Sequence, residues 1–117
     1  RPDLFFAGQL TGVEGYVGNI ATGLVAAINI ARVMDELEQW IVPPTTMLGS
    51  LCHYVTHADP QHFQPMKANF GIMPNLPITH KNKRERHSIY VKRALEDMER
   101  SIEHLSDEFL STLITRS

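Results

Sequence analysis

Three glycines, Gly8, Gly12 and Gly15, fall within eight positions, between a short apolar run and the start of a periodic apolar stretch. The run ahead of them, Leu4-Phe5-Phe6-Ala7, has the length and composition of a buried β-strand bounded by a turn. Beyond them Val17, Ile20, Ala21, Leu24, Ile28 and Ala31 recur at three- and four-residue steps, the period of a helix. Strand, glycine-rich turn and helix in that order bring backbone N–H groups and a helix N-terminus up to an electron-rich ligand. Many α/β proteins have the same order and bind nothing there. Gly12 and Gly15 fit only a loose form of the GxGxxG fingerprint, and no acidic residue on a following strand completes it. Spacing alone leaves both a ligand-contacting turn and a plain structural connection open.

The residues themselves are more specific. The block Ala7-Gly8-Gln9-Leu10-Thr11-Gly12-Val13-Glu14-Gly15-Tyr16, followed by Ala27-Ile28-Asn29-Ile30-Ala31-Arg32, resembles the last flavin-contacting segment of the TrmFO family. Members of that family are folate- and FAD-dependent tRNA (uracil-5-)-methyltransferases. Pro43-Pro44-Thr45-Thr46-Met47-Leu48-Gly49, the stretch 57–66 ending in Phe63-Gln64-Pro65-Met66, and Asn69-Phe70-Gly71-Ile72-Met73-Pro74 resemble the family's continuation. The resemblance is close over residues 4–77 and looser over the remainder.

It implies that the chain is the C-terminal part of a larger α/β protein, Rossmann-type and glutathione-reductase-like, whose catalytic cysteines lie upstream. It assigns Gly8, Gln9, Gly12, Val13, Glu14, Gly15 and Tyr16 to FAD. In that reading a backbone donor of the turn faces the flavin pyrimidine ring, Gln9 and Glu14 orient polar groups, and Tyr16 stacks or hydrogen-bonds nearby. Methylenetetrahydrofolate and NAD(P)H follow as co-substrates, a T-loop uracil of tRNA as the target, and the cytoplasm as the location. A related FAD-dependent wobble-uridine modification enzyme carries a block like AGQINGTTGYEEA, whereas this chain has Thr11-Gly12-Val13-Glu14-Gly15-Tyr16. A non-enzymatic interaction fragment is the third reading.

The 117 residues hold one convincing strand signal and no partner for it. A buried parallel strand needs neighbours on both sides. The expected fold is therefore a mainly α fragment with one short β-strand. Residues 1–42 would be the last strand, turn and helix of an FAD-binding domain. Residues 43–79 would be a second helix and a proline-rich extended segment packed on it, and 80–117 a C-terminal amphipathic helix. An unpaired strand at 4–7 predicts self-association of the isolated piece, which is also expected to be inactive.

Thirteen acidic against eleven basic residues say nothing by themselves about nucleic acid. A lone cysteine excludes an intrachain disulfide framework. Asn29 and Arg32 break the longest weakly polar run, so no membrane span is expected.

The first helix is expected from about Tyr16 to about Gln39, with Gly23 explained by close packing on the strand. Pro43-Pro44 ends what precedes, and Thr45 or Thr46 caps a second helix from Met47 to Thr56. Cys52 shares an apolar face with Leu48 and Leu51, where a thiol behaves as a small hydrophobe. His53 and His57, a His-x3-His pair, could bind zinc with a third ligand and a carboxylate, for which Asp59 could be argued. Surface or capping histidines are the better reading of His53, His57 and His62, and no metal is expected. Phe63, Met66, Phe70, Ile72 and Met73 anchor the proline-punctuated segment, and the resemblance makes Gln64 and Asn69 contacts to folate or flavin.

The last helix is expected from about Arg84 to Thr115, with Val91, Leu95, Met98, Ile102, Leu105 and Phe109 in one apolar stripe. Lys92–Glu96, Arg93–Asp97 and Glu96–Arg100 are its expected ion pairs. Its basic start, with Lys81, Lys83, Arg84 and Arg86, is the candidate contact to RNA phosphates.

Overall fold

A computed structural model describes residues 1–77 and 82–116 of the chain. Among them lie three α-helices: α1, Tyr16–Met34; α2, Met47–His57; and α3, Lys83–Arg116. Short 3-10 turns at Gly8–Thr11 and Phe70–Ile72 precede α1 and α3. The expectation of a mainly helical chain holds, but the strand does not form. Residues 4–7 run irregularly into the first 3-10 turn, with Leu4 51% and Phe6 61% exposed. A strand exists only where a neighbour takes its backbone N–H and C=O groups. Among the described residues the strand-like pairing is one isolated parallel bridge, Val13 to Met66.

α1 stops at Met34, short of Gln39, because the backbone turns left-handed at Glu36, where φ is 58°. Glu36 N–H then bonds Val33 O at 3.1 Å and Leu37 N–H bonds Arg32 O at 2.9 Å, the pair of bonds that closes a Schellman ending. The chain folds back, and Asn29 holds it there. Its Nδ2 donates to Trp40 O at 3.0 Å while its Oδ1 accepts from Trp40 N–H at 2.6 Å.

Thr46 caps α2 by accepting the Gly49 N–H at 2.9 Å, while its hydroxyl donates to Pro43 O at 2.7 Å. A Cβ on Gly49 would sit 1.9 Å from Pro43 O, so this approach admits only glycine. Asn82 Oδ1 accepts the Arg84 N–H at 2.9 Å at the start of α3.

α3 docks through a seam of polar contacts. Trp40 Nε1 donates to Ser101 Oγ at 2.7 Å, the Thr45 hydroxyl donates to Asp97, and Arg32 pairs with Glu108. Two residues of the expected ion pairs take other partners: Arg100 pairs with Asp97, and Arg93 donates to backbone carbonyls. The apolar stripe lies off the seam, so Val91, Leu95, Ile102 and Phe109 stay exposed.

The buried apolar side chains are Val13, Val42, Leu51, Met73 and Tyr90, a small core between the α1 start, α2 and the segment before α3. The molecule measures 54 × 31 × 23 Å, and its radius of gyration is 16.0 Å. A compact 100-residue domain has about 13 Å. The excess comes from α3, whose 34 residues extend about 51 Å at 1.5 Å each.

By length and composition α1 is apolar enough to cross a membrane, which corrects the expectation that Asn29 and Arg32 interrupt it. Both polar side chains are instead taken up by this chain: Asn29 binds Trp40, and Arg32 binds Glu38 O and Glu108.

Candidate cofactor-contacting turn

The glycine-rich stretch folds as a tight crook. Gly8, Gly12 and Gly15 have φ of 73°, 97° and 90°, values at which a side chain is strained. The Thr11 hydroxyl donates to Gly8 O at 2.7 Å, and Gly12 N–H closes onto Gln9 O at 3.0 Å. The chain then pairs with the segment after α2: Met66 N–H donates to Gly12 O at 2.8 Å and Glu14 N–H to Met66 O at 2.9 Å. The Phe63 ring covers Gly12 so closely that a Cβ there would lie 2.3 Å from Cζ. Tyr54 stacks on Phe63 at 5.7 Å between centroids and donates its hydroxyl to Gln64 O at 2.9 Å.

Val13 is fully buried, its Cγ1 near Gly18 at the α1 start, so among the proposed contacts its side chain belongs to the core. Gln9, Glu14, Gly15 and Tyr16 stand exposed on the outer side of the crook. Gly8 and Gly12 are half-buried beneath them.

Gly15 is the N-cap of α1 and has no side chain with which to cap it. The first backbone bond of the helix is Asn19 N–H to Gly15 O at 3.1 Å. The N–H groups of Tyr16, Val17 and Gly18 therefore lack a partner among the described residues, as the opening donors of any helix do unless something caps them. A Cβ at Gly15 would meet nothing within 4 Å. Open space, unsatisfied donors and the positive end of the helix dipole coincide there, and they fit an electron-rich group.

Sequence reasoning passed over Asn19. Its Nδ2 donates to Gly15 O at 2.7 Å, tying the cap to the helix, and its Oδ1 is buried without a partner, among the described residues. A polar side chain within the small-residue run after Tyr16 was the available signal.

Asn69 is used locally, donating to Lys67 O at 2.8 Å, and Gln64 is exposed. Cys52 is half-buried, and burial pushes its thiol pKa up. His53 and His57 stack on each other at 4.0 Å, and no group of three metal-ligating side chains converges among the described residues. A Cβ on Gly23 would meet open space, so close packing within the chain does not explain it. Lys83, Arg84 and Arg86 open α3, whereas Lys81 lies outside the described residues.

The turn and the whole of α1 match a protein-family model described as glucose inhibited division protein A, over residues 1–38. The longer matches are more particular. The methylenetetrahydrofolate–tRNA-(uracil-5-)-methyltransferase TrmFO of Lacticaseibacillus paracasei is 55% identical over 98 residues, 84% of this chain and 22% of that protein. TrmFO of Streptococcus pyogenes is 55% identical over 100 residues, 85% of this chain and 22% of the relative. Over these residues the chain is similar to members of the TrmFO family. It spans about a fifth of the length of these curated relatives.

Proposed function

We propose that the chain serves as the flavin-contacting C-terminal segment of a folate- and FAD-dependent tRNA (uracil-5-)-methyltransferase. One observation carries the reading within the molecule: the uncapped start of α1 opens onto free space at Gly15, behind a turn held by three positive-φ glycines. The family resemblance supplies the identity of the ligand. Residues 1–42 then complete the FAD-binding domain, residues 43–79 belong to the part that braces it, and the region 80–117 contributes the terminal helix α3, Lys83–Arg116.

When bound, the flavin and methylenetetrahydrofolate supply the redox and one-carbon chemistry for carbon 5 of a T-loop uracil, with NAD(P)H as reductant. The chain's own residues hold and orient. The Tyr16, Val17 and Gly18 amides present donors to the electron-rich edge of the ring, and fixed donors of this kind stabilise negative charge without reorganising. Gln9 and Glu14 would orient polar groups of the cofactor from the exposed rim, and Tyr16 would stack or hydrogen-bond nearby. Phe63 and Met66 keep the crook in shape. The segment alone carries no activated nucleophile and is inactive by itself.

The test is Gly15→Val in the flavin-containing enzyme. The flavin-to-protein absorbance ratio should fall at least about tenfold while far-ultraviolet circular dichroism stays unchanged, because φ of 90° with ψ of 149° is open essentially to glycine alone. A variant with full flavin content would overturn the assignment of this turn.

A further inference from the structure

The first turns of α3 divide their basic residues between two faces. Arg93 is turned inward. Its guanidinium donates to Pro74 O at 2.5 Å and to Asn75 O at 3.3 Å, and lies 5.2 Å from the Tyr90 ring centroid. Arg86 is half-buried. Lys83, Arg84 and Lys92 are exposed, and with Ser88, Val91 and Leu95 they line an open depression along the helix.

Arg84, Ser88 and Lys92 follow one another at four-residue steps, each a rise of about 6 Å along one side. That spacing is comparable with the separation of successive phosphates on a nucleic-acid strand. Glu85 is the sole acidic residue from 82 to 95, and it lines an adjoining hollow that shares Arg84 and Ser88 with this depression. The positive end of the helix dipole adds to the same field.

We infer that Lys83, Arg84 and Lys92, with the Ser88 hydroxyl, form a track for the phosphates of an RNA backbone, while Arg93 fastens the helix to the molecule. The inference rests on the tRNA reading above and sharpens it to particular side chains. Contacts of this kind set position and register and carry no sequence information. No Phe, Tyr or Trp lines the depression, and the His87 ring that does line it is stacked on Phe70 at 4.2 Å between centroids.

The experiment measures binding of an unmodified tRNA transcript to the whole enzyme across about 50 to 200 mM salt. Each lost phosphate contact lowers the slope of log K against log salt by about 0.7 to 0.9. The combined variant Lys83→Gln, Arg84→Gln, Lys92→Gln should lower that slope by about 2 and weaken binding about tenfold. Arg93→Gln should leave the slope unchanged and lower the melting temperature.

An unchanged slope in the triple variant, with the wild type binding tRNA normally, overturns the track and leaves the methyltransferase reading standing. A wild type that binds no tRNA removes that reading and this one together. A triple variant that keeps tRNA but loses a poly-glutamate peptide held by the wild type assigns the surface to an acidic protein instead, and overturns the proposal.

Discussion

Glu36 ends α1 in a left-handed conformation that costs an L-residue about 1 to 2 kcal/mol and glycine little. Glu36→Gly should therefore stabilise the chain by about 1 kcal/mol, read as a higher urea midpoint. No shift would mean that the carboxylate makes good the strain by a contact elsewhere. Gly12 presents the opposite case. Its φ of 97° and the Phe63 ring over it make Gly12→Ala costly twice, by about 2 kcal/mol or more in total. The accompanying displacement of Phe63 should appear in the near-ultraviolet signal.

At the scale of elements, the cap of α2 and the seam of α3 give separable tests. Thr46→Ala removes the hydroxyl that accepts from Gly49, and should cost about 1 kcal/mol in chemical denaturation. Glu108 is held below the ordinary carboxylate range, chiefly by the hydrogen bond from Arg32. A carboxyl whose folded pKa is depressed stabilises the fold above its unfolded value, about 4.3, and that contribution is lost as pH falls through the folded value. The melting-temperature gap between wild type and Glu108→Gln should thus be present at pH 7 and close on acidification. A constant gap would show that the seam does not depend on this charge.

The helices were legible because their signals are local. Apolar residues recur from Val17 at the helical period, and Pro43-Pro44-Thr45-Thr46 announces both a stop and a cap. The strand at 4–7 was misread because strand formation depends on a partner, which four residues cannot report. The seam was illegible for a related reason. It uses Asp97, Ser101 and Glu108, which lie to one side of the apolar stripe that periodicity finds. In the site, the glycines pointed to the turn, but the pairing of Val13 with Met66 joins residues far apart in the chain.

The whole molecule leaves much apolar surface uncovered. On α1 alone Tyr16, Val17, Ile20, Leu24 and Met34 range from 60% to 91% exposed. A face of that extent associates with something, so the 117-residue chain by itself should scatter light as a species heavier than 13.2 kDa. Ile20→Glu with Leu24→Glu should return it towards the monomer mass; an unaltered mass would move the contact elsewhere, to the exposed stripe of α3. The two backbone hydrogen bonds that latch Met66 to Gly12 and Glu14 carry a further consequence. They make the crook and the proline-rich segment exchange their hydrogens with solvent as one opening unit. Whatever settles against the crook should therefore slow deuterium uptake at Met66, so the occupancy of one end of the chain can be timed from a residue that never touches the occupant.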